Sequence, residues 1–332
     1  DRFGRKLVLQ IGNLIFLASS ALCAFAPTLG ILIAARVAQG VGACVPVVVS
    51  RAVVRDGHSG EEAARALAAI GIVMAISPAI GPTIGGLIQV AMGWRAVFGI
   101  LAIVGVIAFL LIQFKLVETL PRERRQPLRL TRILTTYLSL LTDRRYMAFA
   151  LAVSFSMAGL GAYLAGAPFI FIRLLEIPEP VFGMFSIINV SSFAIGSAIA
   201  TRVTGRWLTM PAMVLVGGCL TTVSGCTLLL LMLSGHLSVL AIMGSVAPYF
   251  IGMGLLAPNA MAAAINRYPD KAGLASAMLG FLQFGGWGGA GLAVGLLGGS
   301  GAVPFSAVVA FVGTATLVSF LILHGKPEKY RP

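Results

Sequence analysis

Charged residues are scarce in this chain: they make up 11% of its 332 residues, against about 25% in soluble globular domains. Hydrophobic residues make up 58%. They form long uninterrupted runs, such as residues 7–26 and 96–117, each close to the roughly 20 residues that an α-helix needs to cross a bilayer. The composition therefore excludes a soluble domain and predicts an all-α, polytopic membrane protein.

Cysteine is rare as well, and its four positions carry no motif. All four lie inside apolar runs without CxxC spacing or a neighbouring His, so we interpret them as small apolar residues rather than metal ligands or disulfide partners. The sequence also has no nucleophile–base pair, metal-ligand cluster or phosphate-binding glycine loop. We therefore predict no enzymatic activity, no metal and no cofactor.

Basic residues alternate with the apolar segments. Ten segments can span a membrane: 7–26, 31–53, 64–91, 96–117, 146–170, 182–204, 209–233, 237–262, 272–297 and 303–324. If the spans alternate in direction, all but three of the 24 Lys and Arg fall on one side. Cytoplasmic loops are enriched in these residues, so we expect both visible ends to be cytoplasmic. The net charge of +13 then reflects topology, and we predict no nucleic-acid partner.

The longest connection, residues 118–145, is basic and partly amphipathic, with four spans before it and six after it. Many transporters consist of two six-helix halves joined by a long cytoplasmic loop. We therefore predict an N-terminal half without its first two helices (1–117), a cytoplasmic loop (118–145) and a six-helix C-terminal half (146–332). On this interpretation the chain is a fragment of a 6+6 protein, with ten transmembrane helices visible.

Several motifs resemble the major facilitator superfamily. The opening DRFGRK is similar to the second half of its loop signature, G-x-L-x-D-R-x-G-R-K, and residues 32–43 resemble the motif that carries an embedded Arg in the fourth helix. GPTIGG at 81–86 resembles the antiporter signature of the fifth helix, and ETLP at 118–121 is typical of the drug-exporting branch. Residues 257–284 look specifically like the Bcr/CflA branch of bicyclomycin, chloramphenicol and florfenicol resistance proteins.

The resemblance implies the major facilitator fold and a monomeric secondary transporter of the bacterial inner membrane. Its expected activity is multidrug efflux, the export of drug-like small molecules in exchange for protons. Proton coupling needs a protonatable group inside the membrane, yet all eleven acidic residues lie in loops or at span ends. Relatives often place that acid in the first helix. Two alternatives stay open: a transporter of a metabolite such as a sugar or amino acid, and a non-transporting membrane protein or inactive fragment.

The loop signature predicts a conformational latch at the cytoplasmic side. By the resemblance, Asp1, Arg2, Gly4 and Arg5 close this side of the protein, and Asp56 at the end of the second span is expected to pair with Arg2 or Arg5. A glycine permits the close backbone approach that such a turn requires. The alternative is that these basic residues only anchor the topology.

Arg36 is the one basic residue that lies inside a span and away from its cytoplasmic end, where a charge is costly and by default functional. By the resemblance it influences proton uptake and release by a nearby carboxylate; alternatively it snorkels to the headgroups. The antiporter motif is expected to form a smooth, bent helix face that moves at the interface of the halves, or else an ordinary packing face. Its residues are Gly81, Pro82, Gly85 and Gly86.

Substrate contacts are expected from polar or aromatic residues near mid-span, because this architecture binds its cargo near the bilayer midplane. An apolar cavity with a few polar groups suits neutral, moderately lipophilic drugs. For each candidate, packing between helices or contact with lipid is the alternative. The candidates are Phe155, Tyr163, Asn189, Tyr249, Gln283 and Trp287.

Overall fold

The computed structural model describes residues 4–57, 60–120, 130–268, 271–297 and 301–325, which form helices joined by short connections. The helices are α1 (Arg5–Ala24), α2 (Leu29–Gly57), α3 (Gly60–Met92), α4 (Trp94–Lys115), α5 (Leu130–Thr142), α6 (Arg144–Pro168), α7 (Glu179–Val203), α8 (Met210–Leu233), α9 (Val239–Asn266), α10 (Ala272–Leu296) and α11 (Ala302–His324). A π-helical turn, Phe169–Leu174, continues α6.

The ten predicted spans coincide with α1–α4 and α6–α11, and the predicted all-α class is confirmed. Nine helices of the described residues are long and apolar enough to cross a membrane: α1, α2, α4 and α6–α11. Helix α3 has 33 residues but is not among these nine. Its described apolar stretch is the shorter C-terminal part, Ile80–Met92.

The chain divides into two compact units, Asp1–Arg129 and Leu130–Pro332. The division falls within the connection that the sequence predicts as a loop over 118–145. The last part of this connection is helix α5, which packs against α6 and α10 in the second unit. Leu140 and Thr136 of α5 are buried, so the amphipathic pattern of this segment produces a packed helix rather than a free loop.

In the first unit, α1 packs against α2 and α4. Gly42 of α2 lies directly on α1: an added Cβ would come within 2.5 Å of the Phe16 backbone nitrogen and 2.7 Å of the Gly12 carbonyl oxygen. Asn13 of α1 is buried and donates to the carbonyl of Gly105 in α4 at 2.8 Å. Small residues and the hydrogen-bonded side-chain amide of Asn13 therefore hold these helices together. Such contacts are typical where lipid provides no hydrophobic driving force for helix association.

In the second unit, α6 packs against α9, α10 and α11, while α7 and α8 pack against α9. The α7–α9 contact depends on two glycines. A Cβ on Gly196 would lie 2.1 Å from the Ile251 carbonyl oxygen, and a Cβ on Gly254 would lie 2.2 Å from the Phe193 carbonyl oxygen. Because these neighbours are backbone atoms, either substitution must push the two helices apart.

We expect Gly254→Ala to lower stability by about 1–3 kcal/mol, the usual cost of overpacking a close contact. The matched control is Gly244→Ala in the same helix, where an added Cβ meets nothing within 4 Å and the better helix propensity of Ala is the main effect. Thermal unfolding of both variants in detergent measures the difference. Equal melting temperatures would contradict the proposed role of the glycine contact.

Candidate functional site

Three helix ends meet in a charged cluster of the first unit. Arg5, the first residue of α1, donates from Nε to the Asp56 carboxylate in the last turn of α2 at 2.9 Å. Both side chains are largely shielded, with 16% and 23% of their surface exposed. Thr119, after α4, donates to the same carboxylate oxygen at 3.5 Å. Arg5 and Asp56 of the expected latch are therefore paired, whereas its members Asp1 and Arg2 lie outside the described residues.

Glu118 joins this cluster, and the sequence interpretation assigned it no role. Its carboxylate accepts hydrogen bonds from the backbone N–H groups of Arg5 at 2.8 Å and Lys6 at 3.3 Å. The N-cap of α1 is Gly4, whose φ of 88° favours glycine and which has no side chain to cap the helix. Glu118 therefore supplies the acceptor that the first N–H groups need and a negative charge at the positive end of the helix dipole.

Arg36 lies in α2 and is held by neutral groups. Its guanidinium donates to the Gln39 side-chain oxygen and lies 5.6 Å from the centre of the Phe98 ring in α4. Gln39 donates in turn to the Ser20 hydroxyl of α1 at 2.7 Å, and both of these residues are buried. The sequence interpretation missed Gln39, although its position three residues after Arg36 places the two on one helix face. Arg36 itself is exposed in the first unit, and this polar chain orients its charge on a helix long and apolar enough to span a membrane.

The described acidic side chains lie at helix ends or in connections, as expected from the sequence. They are Asp56, Glu62, Glu118, Asp143, Glu176 and Glu179. The partners that the structure provides for Arg36 are accordingly an amide oxygen and an aromatic ring.

The antiporter motif lies in the C-terminal part of α3. An added Cβ on Gly81 or Gly85 would meet nothing within 4 Å, and Pro82 and Gly86 are half-buried. Among the described residues of the first unit, neither Gly81 nor Gly85 is therefore used for close packing. A moving interface at this helix face stays a prediction.

Three of the expected substrate residues carry a buried polar atom for which the described residues provide no hydrogen-bond partner. These atoms are the hydroxyl of Tyr163 in α6, the side-chain oxygen of Asn189 in α7 and the side-chain nitrogen of Gln283 in α10. The Tyr163 hydroxyl and the Asn189 side chain lie near each other, but their geometry does not form a hydrogen bond between them. Leaving such a group unpaired costs about 1–3 kcal/mol, so a ligand that supplied the missing partner would gain affinity.

Tyr249, another expected substrate residue, is committed to packing. It is almost completely buried, and its hydroxyl donates to the Ser156 carbonyl at 3.2 Å. Its ring occupies the space beside Gly159, where an added Cβ would lie 2.2 Å from the hydroxyl oxygen. These contacts favour the packing alternative for this residue.

Trp287 and Phe155 complete the expected set. The Trp287 ring stacks on Phe284, with the ring centres 5.8 Å apart, and its backbone lies against Gly161 of α6. Trp287 and Phe155 are half-buried, so part of each side chain is accessible within the second unit.

A second charged cluster lies where α5, α6 and α9 meet. Asp143 is the N-cap of α6 and accepts from the backbone N–H groups of Arg145 at 2.8 Å and Tyr146 at 3.2 Å. Its other oxygen accepts from Arg267 Nε at 2.8 Å and from the Tyr268 hydroxyl. The sequence interpretation missed Asp143, although an Asp directly before an apolar run is an N-cap signal.

Hydrogen bonding dominates the titration of this carboxylate. Burial by itself would raise the pKa of Asp143, but the hydrogen bonds from Tyr268, Arg267 and the two backbone N–H groups outweigh it and lower the pKa to about 2. Because the folded pKa lies below the usual 3.8, the stabilisation is complete above that value and is lost as the pH falls toward about 2.

We therefore expect Asp143→Asn to destabilise the protein at neutral pH, with the difference from wild type closing between about pH 4 and pH 2. Thermal unfolding in detergent across this pH range measures it. Glu176→Gln, in the connection before α7, is the control and should follow the wild-type curve. A gap for Asp143→Asn that persisted at pH 2 would contradict the assignment.

Comparison with known proteins identifies relatives of this architecture. The model of the family described as the Major Facilitator Superfamily matches residues 1–292. The chain is 34% identical over 292 residues to an uncharacterised MFS-type transporter, YdgK, of Bacillus subtilis (strain 168), covering 85% of this chain and 70% of that protein. It is 30% identical over 285 residues to a bicyclomycin resistance protein homolog of Haemophilus influenzae, covering 86% of this chain and 71% of that protein.

A solved structure has the same fold. The crystal structure of a POT family transporter in complex with a thioalcohol-conjugated peptide matches with a TM-score of 0.72. The match covers 97% of this chain and 81% of that one, at 15% sequence identity.

Proposed function

Because the chain belongs to the Major Facilitator Superfamily, we propose that it exports drug-like small molecules across the bacterial inner membrane in exchange for protons. The relative named as a bicyclomycin resistance protein homolog supports an antibiotic-like cargo. The distribution of Lys and Arg supports an orientation with both visible ends in the cytoplasm. The proposed working form is the monomer.

The observation that carries the coupling proposal is the position of Arg36. It lies in a membrane-spanning helix and is held by Gln39 and the Phe98 ring. The Arg5–Asp56 and Arg267–Asp143 ion pairs, in contrast, lie at helix ends. A positive charge lowers the pKa of any carboxylate brought near it. Arg36 would therefore promote proton release from a carboxylate, whose negative charge then neutralises Arg36 until the proton returns.

The cargo is proposed to contact neutral polar groups of the second unit. Tyr163, Asn189 and Gln283 offer a hydroxyl, an amide oxygen and an amide nitrogen that lack partners among the described residues. Hydrogen bonds from such groups select a substrate that carries its own donors and acceptors. Half-buried aromatic side chains at Phe155 and Trp287 suit an apolar body beside those groups.

The Arg5–Asp56 pair is proposed to belong to the latch that closes the cytoplasmic side. With Glu118, it connects the start of α1 to the end of α2 and to the segment after α4. Helix ends that are tied together move as one body, which is what alternating access by rocking requires.

The function is tested in proteoliposomes that contain the protein produced from the complete reading frame of its gene. We expect chloramphenicol to cause proton movement in the wild type, and Arg36→Ala to reduce the coupled rate by about tenfold or more, equivalent to about 1.4 kcal/mol. Arg95→Ala is the control, because Arg95 contacts Trp94 and the Ala26 carbonyl outside the Arg36 chain.

Two outcomes would contradict this proposal. If a panel of neutral antibiotics caused no proton movement in the wild type, drug antiport would be wrong and a metabolite transporter would be favoured. If Arg36→Ala retained the wild-type coupled rate, the charge inside α2 would have no role in coupling.

The latch is tested by exchanging the charges of its described ion pair. We expect Asp56→Arg alone to reduce the transport rate, because it places two positive groups together. We expect the double variant Arg5→Asp/Asp56→Arg to recover most of that loss, since contacting residues couple by about 0.5–3 kcal/mol. Initial rates of drug uptake into inverted vesicles measure both variants. Strictly additive losses would rule out a functional pair.

A further inference from the structure

Helix α5 is apolar on part of its surface but does not span the membrane. Its 13 residues extend about 20 Å at 1.5 Å per residue, short of the roughly 30 Å of a hydrocarbon core. Leu134, Leu138 and Leu141 are nevertheless 59%, 61% and 44% exposed. Their i, i+4, i+7 spacing places them on one side of the helix, and we call this side the leucine face.

The helix has three distinct sides. Thr136 and Leu140 are 4% and 0% exposed, so their side faces the protein. The leucine face lies next to it. Exposed small polar residues occupy the remaining side: Thr131, Thr135, Ser139 and Thr142. A helix with one side on protein, one apolar side and one polar side matches a position at a membrane–water boundary.

The junction with α6 places α5 at the membrane surface. A single residue, Asp143, separates Thr142 at the end of α5 from Arg144, where the membrane-spanning stretch of α6 begins. Asp143 caps α6 and pairs with Arg267 just beyond the end of α9. The start of one span and the end of another therefore hold the C-terminal end of α5 at the level where the spans leave the hydrocarbon.

The sequence around α5 is strongly basic. Eight Lys and Arg occur between residues 115 and 145, against three acidic residues. A cluster of this size next to a membrane span attracts the anionic headgroups of the cytoplasmic leaflet. Charge and apolar surface therefore favour the same partner.

We propose that α5 is a membrane-surface helix whose leucine face inserts into the cytoplasmic leaflet, with the basic residues around it binding anionic phospholipid headgroups. The side of the membrane follows from the proposed orientation of the spans, but the lipid contact does not depend on which substrate the protein carries. Insertion removes from water an apolar surface that no other part of the second unit covers among the described residues.

The insertion is tested by spin labelling of single cysteines at Leu138 and, as the matched control, at Ser139. Both positions are exposed. They are adjacent in the sequence but lie on different sides of the helix. The full-length protein is reconstituted in vesicles of phosphatidylethanolamine and phosphatidylglycerol, and thermal unfolding confirms that each labelled variant is folded. The native cysteines to be replaced first are Cys23, Cys44, Cys219 and Cys226.

Oxygen concentrates in lipid, whereas a nickel chelate stays in water. For each label we compare the collision rate with oxygen to the collision rate with the chelate. We expect this oxygen-to-nickel ratio to be at least ~5-fold higher at Leu138 than at Ser139. A label at Leu138 with as much access to nickel as that at Ser139 would place the leucine face in water. A label shielded from both reagents would place the face against protein. Either result overturns the proposal.

The headgroup contact is tested by lipid composition. In vesicles of phosphatidylcholine alone we expect the Leu138 label to lie less deep, with its oxygen-to-nickel ratio falling ~2-fold or more. In vesicles with phosphatidylglycerol, the same fall is expected when four arginines that precede α5 in the sequence are replaced by Gln: Arg122, Arg124, Arg125 and Arg129. Ratios unaffected by both changes would overturn the anionic-lipid part of the proposal.

Discussion

The cost of placing a charge in hydrocarbon governs the arrangement of this chain. Charged side chains collect where helices end, and there they act on helix termini and on each other. Arg5 pairs with Asp56 in the first unit, and Asp143 pairs with Arg267 in the second. Arg36 departs from this arrangement, since it lies within a span and is fixed by an amide and an aromatic ring. A protein accepts such a cost where the charge has a function, and proton coupling is the function proposed here.

The two charged clusters have the same two tasks but use different numbers of acidic residues for them. Each must cap the positive end of a helix and neutralise an arginine. The first unit divides the work between two acids, because Glu118 caps α1 while Asp56 binds the Arg5 side chain. The second unit gives both tasks to Asp143, with one oxygen for the α6 cap and the other for Arg267. The second cluster therefore depends on a single carboxylate, and the low pKa of Asp143 follows from that concentration of donors.

Inside the spans, neutral groups and close contacts replace charge. Gly42 and Gly254 allow helix backbones to touch, and Asn13 bonds to a carbonyl of the neighbouring helix. Tyr163, Asn189 and Gln283 are three of the six residues with a buried polar atom unpaired among the described residues. Buried polar groups of native proteins are normally satisfied, and the proposal that these three residues contact the cargo is based on that departure.

The sequence by itself determined the class, the positions of the long helices and the family. The predicted all-α major facilitator fold and the membership of the superfamily are confirmed, because apolar runs of membrane length and the placement of Lys and Arg are local properties of the chain. Only the tertiary structure decided which groups meet. Glu118 caps a helix that begins 113 residues earlier in the chain, and Asp143 binds Arg267, which lies 124 residues later. The Tyr249 side chain packs beside Gly159. Such partners depend on how helices are arranged in space, which neither hydropathy nor motif spacing records.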